Sequence, residues 1–161
     1  MHENRILIHK LKNFENINSN FLIITLMLFG SILLAISAKV QVPFWPVPMT
    51  MQTFVIFLIG MTYSVRLSFA TVAFYLFQGA IGLPVFAAGG GVAYLVGPTA
   101  GYLYGMLFAS IVISYLANLG FSKTYFKAIV SLLIGSAIIF SFGIIYLCLL
   151  YTSDAADEPL C

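Results

Sequence analysis

The stretch Gly82–Gly105, GLPVFAAGGGVAYLVGPTAGYLYG, interrupts apolar sequence of membrane-spanning length with glycines and prolines. Such a segment does not continue a regular helix, because proline lacks a backbone donor and glycine favours turns. Irregular backbone at membrane depth is stable only where protein or a watery cavity satisfies its N–H and C=O groups. We therefore predict a ligand site beside this break between two spans.

The composition around that stretch is typical of a membrane protein. Apolar residues make up 61% of the chain and charged residues 7%, which excludes an ordinary soluble domain, and the net charge of +2 is too small to indicate nucleic-acid binding. A spanning helix needs about 17–25 apolar residues. The sequence predicts an all-α, polytopic transmembrane helical bundle in one domain, with five spans at Phe21–Ala38, Met49–Val65, Leu67–Phe86, Thr99–Leu119 and Ala128–Leu147.

The positive charges predict how the bundle is oriented. With a cytoplasmic N-terminus, six of the seven lie inside (Arg5, Lys10, Lys12, Arg66, Lys123 and Lys127) and only Lys39 lies outside. Residues 1–20 are then a cytoplasmic leader, and both irregular connections, Lys39–Pro48 and Ala87–Pro98, lie on the outer face. A signal peptide cleaved after Ala35-Ile-Ser37 is a weaker alternative, because its apolar core is long and four spans follow.

Small residues recur every four positions along the fourth predicted span, at Gly97, Gly101, Gly105 and Ala109. This spacing places them on one helix face, where they allow another helix to approach closely. Ser131 and Gly135 on the fifth span have the same spacing and predict packing inside the bundle.

Two motifs carry a family resemblance. The segments VPFWPVPMTMQT at Val42–Thr53 and GPTAGYL, which begins at Gly97, closely resemble those of the BioY family, the biotin-specific substrate-binding (S) subunits of energy-coupling factor (ECF) vitamin transporters. The resemblance covers Ala35–Leu147. It implies a multi-pass subunit of a prokaryotic plasma membrane that captures biotin at the outer face for ATP-driven uptake. Its partners would be a coupling transmembrane subunit and two ATP-binding subunits, with no cofactor and no nucleic acid.

The same motifs identify candidate ligand-binding residues at the outer face. Gln52 offers a donor and an acceptor near the start of the second span, and glycines at positions 89–91 let the backbone approach a ligand. The family places the vitamin at this loop and at the start of the following helix. The predicted ligand-binding set is Gln52, Phe86, Gly89, Gly90, Gly91, Tyr94, Thr99 and Tyr102.

Several residues in and near these motifs have more than one interpretation. Thr50 is suited to capping the second span, and Tyr102 to the role of an ordinary interfacial tyrosine. Phe44 and Trp45 form a lid over the ligand by family analogy, or anchor the loop at the headgroups. By the same analogy Ser31 and Ala35 on the first span dock the coupling subunit, although packing within the bundle explains them nearly as well.

The C-terminal segment departs from the rest of the chain. Cys148–Glu158, CLLYTSDAADE, resembles a translated DNA-library adapter, so we predict that residues 148–161, which hold both cysteines, are a non-native tail. Residues 21–147 are then the S-component-like bundle, with five spans of an expected six. In the family an Asp and a Lys of the sixth helix hold the ureido ring, so we expect the 161-residue chain by itself to bind biotin weakly or not at all.

Other functions fit the sequence less well. The predicted spans hold no His, Asp or Glu, which disfavours an intramembrane enzyme and an ion-coupled transporter. No metal-ligand cluster is evident. An S-component for another vitamin, thiamine or riboflavin, or a structural membrane protein, is the alternative to a biotin-binding subunit.

Overall fold

Apolar helices make up most of the chain in the computed structural model, which describes residues 19–43, 47 and 49–154. This confirms the predicted all-α bundle. Two strands of two residues each pair as an antiparallel hairpin, with Gln41 opposite Thr50. In chain order the elements are α1 (Ser19–Lys39), β1 (Gln41–Val42), β2 (Met49–Thr50), α2 (Gln52–Thr62), α3 (Val65–Ala80), α4 (Val92–Val96), α5 (Ala100–Asn118), a 3₁₀ turn (Phe121–Lys123) and α6 (Tyr125–Asp154).

Three of the described helices are long and apolar enough to cross a membrane, over Asn20–Lys39, Ala100–Asn118 and Tyr125–Thr152. The helices of the second and third predicted spans are shorter, with 11 and 16 residues. At 1.5 Å per residue these are about 16 and 24 Å long, less than the ~30 Å of bilayer hydrocarbon.

The predicted span Met49–Val65 was therefore too long at both ends, and Leu67–Phe86 was too long at its C-terminal end and began two residues late, for local reasons. Met49 pairs in the hairpin, so α2 begins only at Gln52. The chain is extended at Tyr63, where α2 ends, and adopts a positive φ of 99° at Gly82 just after α3. In contrast, α6 is longer than the predicted Ala128–Leu147 and continues through residues 148–154.

Helix α5 lies at the centre of the bundle, with more than half of its length buried. Its predicted small-residue face packs on α6: a Cβ added at Gly105 would lie 2.9 Å from Ile139 Cα, and Ala109 is fully buried. From the other side, Gly135 of α6 lies against the Ile113 side chain. Gly101 and Gly105 thus allow near backbone contact between α5 and α6, as their spacing predicted. The prediction was wrong for Gly97, which lies before α5 and meets only the carbonyl oxygens of Ala93 and Tyr94.

Serine hydroxyls add polar ties between helices. Ser114 on α5 lies 2.9 Å from the carbonyl oxygen of Gly60 and 3.0 Å from that of Tyr63, at the end of α2. Ser68 on α3 donates to the Ser110 carbonyl at 3.3 Å. Among the described residues, no buried side-chain polar atom lacks a hydrogen-bond partner. This is the condition that a protein in hydrocarbon must meet.

Large apolar side chains cover the outside of the bundle. On α1 the exposed ones include Phe21, Phe29 and Ile36, and on α6 they include Ile129 and Leu133. A water-soluble protein does not leave continuous apolar helix faces of this size uncovered. Lipid tails satisfy them, so the bundle is a membrane-embedded one.

Substitution of Gly105 by alanine should destabilise the α5–α6 contact, because backbone atoms of Ile139 occupy the space of the new methyl group. We expect a loss of about 1–3 kcal/mol, seen as an apparent melting temperature in detergent lower by about 5 °C. Gly97→Ala is the matched control, since its methyl group would meet only the local carbonyl oxygens of Ala93 and Tyr94, at 3.3 and 3.7 Å. Equal melting of the two variants would contradict this account of the packing.

Candidate functional site

A cavity of about 210 Å³ lies where α2 and α5 begin. Its size suits a compact ligand, since pockets for drug-sized ligands measure roughly 300–1,000 Å³. None of the described residues that line it is charged. The lining is mostly apolar with a few hydroxyl groups and one carboxamide: Val47, Met49, Thr50, Gln52, Thr53, Ala87, Tyr94, Thr99, Tyr102, Leu103, Met106, Ile139 and Phe140.

The single carboxamide belongs to Gln52, the first residue of α2, which is 4% exposed. Thr50 donates to Gln52 Oε1 at 3.1 Å, and Gln52 Nε2 donates to the Tyr75 hydroxyl at 2.6 Å. Tyr75 in turn donates to the Val85 carbonyl at 3.0 Å. Gln52 therefore lines the cavity with one acceptor site already bonded to Thr50 and one N–H already bonded to Tyr75. Thr50 lies in β2 and does not cap α2, whose N-terminal cap residue is Met51.

Aromatic rings support one wall of the cavity. Tyr94 lines it and stacks on Phe86, with ring centroids 4.9 Å apart and an angle of 18° between planes. Phe86 meets the edge of Tyr75 at 5.4 Å and 83°. Phe86 itself is completely buried and is not among the lining residues, so it acts behind Tyr94.

The glycine run at positions 89–91 folds this loop back onto α3. Phe86 and Gly89 exchange backbone hydrogen bonds at 2.9 and 3.3 Å, and the Gly91 N–H donates to the Gly79 carbonyl at 2.7 Å. Gly89 and Gly91 have positive φ values of 137° and 106°, which other residues rarely adopt. Gly89, Gly90 and Gly91 are not among the lining residues.

Thr99 and Tyr102 bring the start of α5 to the cavity, since Thr99 is the N-terminal cap residue of α5. The Tyr102 ring packs over Gly143 and meets Phe140 edge-on at 6.3 Å. Within the described residues, no hydrogen bond engages the side-chain hydroxyls of Thr53, Tyr94, Thr99 or Tyr102. These hydroxyls are available to a ligand.

The sequence model of the BioY family matches residues 10–158. The chain belongs to the BioY family. It is 35% identical over 131 residues to the probable biotin transporter BioY of Rickettsia prowazekii, covering 81% of this chain and 67% of the relative. It is 38% identical over 115 residues to the probable biotin transporter BioY of Lysinibacillus sphaericus, covering 71% and 59%. For the biotin transporter BioY of Thermotoga maritima the identity is 39% over 116 residues, covering 71% and 68%.

A solved structure supports the same assignment. The crystal structure of the S-component for biotin from an ECF-type ABC transporter matches with a TM-score of 0.73 and 25% identity, over 84% of this chain and 76% of that one. In the three sequence comparisons the aligned region covers 59% to 68% of the relative's length.

Four of the eight residues proposed from the BioY motifs line the cavity: Gln52, Tyr94, Thr99 and Tyr102. The predicted lid residues Phe44 and Trp45 lie outside the described residues, although Val47 and Met49 of the same loop line the cavity. Ser31 is 1% exposed and donates to the Leu28 carbonyl inside α1, whereas Ala35 is half-buried. Of the two residues proposed for docking, only Ala35 is reachable from outside.

Sequence reasoning missed Tyr75 and the deep apolar lining from Leu103, Met106, Ile139 and Phe140. An apolar residue of a span shows no local sign of whether it meets lipid or a cavity. Sequence reasoning also missed the hydrogen bond from the Lys39 ammonium, at the end of α1, to the Phe86 carbonyl at 2.8 Å.

Substitution of Phe86 by leucine should loosen the wall behind Tyr94. The change removes a fully buried ring with two aromatic contacts, so we expect a loss of about 1–3 kcal/mol of stability. Phe77→Leu makes the same chemical change at a side chain that is 60% exposed and should change stability by under about 0.5 kcal/mol. Thermal unfolding in detergent measures both, and similar losses would show that Phe86 is not a packing centre.

Proposed function

We propose that this protein is a membrane-embedded biotin-binding subunit that captures biotin at the outer face of a prokaryotic plasma membrane. Uptake is driven by ATP through an ECF module, made of a coupling transmembrane subunit and two ATP-binding subunits. The relatives' names and the matched S-component support the ligand and the type of transporter. They also favour transport over catalysis.

One observation carries the proposal: the cavity combines an apolar lining with a single oriented carboxamide. Biotin has a fused ureido–thiophane ring and an acidic side chain. Its ureido group presents N–H donors beside a carbonyl acceptor, which complement the acceptor and donor of an amide. Gln52 is the residue that offers both, and Tyr94 offers a ring face for the apolar part of the bicycle.

The biotin carboxylate fits the start of α5. A helix N-terminus carries a partial positive charge that favours an anion, although here the Ala100 and Tyr102 N–H groups already donate to the Gly97 and Thr99 carbonyls. The Thr99 and Tyr102 hydroxyls at this position have no partner among the described residues. We assign the carboxylate to this end and the ureido ring to Gln52.

Biotin binding by the wild-type protein and two glutamine variants tests this assignment. Gln52→Ala should weaken binding at least tenfold, because an amide–ligand hydrogen bond in an apolar site is lost. Gln78→Ala is the control, since Gln78 lies on α3 outside the cavity lining. Titration calorimetry in detergent measures all three affinities in whichever form of the protein binds biotin, the 161-residue chain or one with the native sequence restored after Leu147. Equal affinities of the two variants would remove Gln52 from the site.

The segment after Leu147 provides a second test of the proposed biotin binding. We propose that the native protein continues into a sixth span that supplies further polar contacts to the ureido ring. Biotin binding is therefore compared for the 161-residue chain and for a protein with the native coding sequence restored after Leu147. We expect tight binding only in the longer form. Equal binding would reject the sixth-span contribution, and a folded longer form that binds thiamine or riboflavin but not biotin would reject the ligand.

The proposed orientation predicts which positions a membrane-impermeant maleimide reaches in intact cells. In a background with serine at positions 148 and 161, Lys39→Cys should be labelled from outside, because six of the seven positive charges favour the cytoplasm. Lys123→Cys, at the opposite end of α5 from the cavity, should react only after the membrane is permeabilised. The reverse pattern would overturn the orientation.

A further inference from the structure

We propose that Tyr75, a residue outside the cavity lining, is a positioning residue that fixes how Gln52 presents its amide to the ligand. The inference rests on the proposed function, because it concerns the same site. Tyr75 is 1% exposed and lies on α3, whereas Gln52 begins α2. Its hydroxyl links the Gln52 amide to the backbone of the loop after α3.

The Val85 carbonyl determines which atom donates in each of the hydrogen bonds that join Gln52, Tyr75 and Val85. A carbonyl oxygen only accepts hydrogen bonds, so the single hydroxyl proton of Tyr75 points to Val85, 3.0 Å away. The Tyr75 oxygen must then accept from Gln52, and at 2.6 Å the group that faces it must be the NH₂. Rotating the amide by 180° would place two oxygen atoms together with no proton between them. The Thr50 hydroxyl is compatible with this orientation, in which it donates to Oε1.

This arrangement leaves a defined part of the amide for the cavity. A glutamine side chain has two N–H donors and two carbonyl lone pairs. Tyr75 takes one donor and Thr50 one lone pair, so one of each remains. A ureido N–H beside its C=O then meets an acceptor and a donor in fixed positions. Without the Tyr75 hydroxyl the amide can rotate, and binding must pay the entropy of fixing it.

Tyr75→Phe isolates the hydroxyl, because the ring and its edge contact with Phe86 are kept. We expect biotin affinity to fall about tenfold. Tyr104→Phe is the matched control: it also removes a hydroxyl bonded to a carbonyl, that of Leu95 at 3.2 Å, but outside the cavity lining. Its affinity should equal that of the wild type.

A double-mutant cycle separates positioning from a general structural role. If Tyr75 acts through Gln52, Tyr75→Phe should change biotin affinity less than twofold in a Gln52→Ala background. If Tyr75 acts only by holding Val85, the fold-losses of biotin affinity caused by Tyr75→Phe and by Gln52→Ala should multiply in the double variant. Calorimetry in detergent is run on whichever form of the protein, 161-residue or restored, binds biotin. Failure of both folded forms to bind would refute the proposed function itself, and with it this inference.

The remaining outcomes also decide the question. Wild-type affinity in Tyr75→Phe, or an equal loss in both backgrounds, overturns the positioning role.

Should Tyr75→Phe fail to fold, the wild-type protein labelled with ¹⁵N-glutamine provides the readout by NMR, with the Gln52 signal assigned through Gln52→Ala. A fixed amide should show side-chain N–H protons that exchange slowly with solvent and a high ¹⁵N order parameter, whereas rapid exchange or a low order parameter would refute the proposal.

Discussion

The ring of Phe86 occupies the space that a side chain at position 79 would fill, and the outer end of the bundle depends on this contact. Because Gly79 has no Cβ, the loop after α3 can fold back onto its own helix and bury Phe86 completely. The Gly79 carbonyl also receives the Gly91 N–H, which closes the loop at its other end. The irregular segment is thereby packed and hydrogen-bonded as one unit, which backbone at membrane depth requires.

This unit brings together groups that are distant in sequence. The Phe86 ring supports Tyr94 on one face and meets Tyr75 edge-on, while its carbonyl receives the Lys39 ammonium from the end of α1. Val85, the preceding residue, receives the Tyr75 hydroxyl. One short loop thus fixes both the aromatic wall of the cavity and the polar chain behind Gln52. A change at Phe86 should therefore affect both walls together, whereas Phe77 on the lipid-facing side should affect neither.

The sequence predicted the elements more reliably than the contacts between them. Gln52, Tyr94, Thr99 and Tyr102 could be named from the sequence because they lie in or beside the segments that resemble the BioY family. Tyr75 could not, because its partners lie 23 residues before it and 10 residues after it, and no local pattern joins them. The glycines at 89–91 were recognised as unusual, but a glycine that approaches a ligand and one that turns a chain look the same in sequence. In this fold their hydrogen bonds turn the chain.

Helix length explains why the cavity exists at this end. Apolar composition continues past both ends of α2 and α3, so the sequence alone predicted full spans there, yet α2 has only 11 residues. At about 16 Å it fills roughly half of the hydrocarbon thickness. Beyond its start the cavity is lined by the hairpin residues Met49 and Thr50 and by Ala87 and Tyr94, instead of by a further helical turn. The space that they leave is bounded below by Met106 and Ile139, where α5 and α6 pack closely. Because α2 begins only at Gln52, the same feature provides both the space for a ligand and a helix N-terminus beside that space.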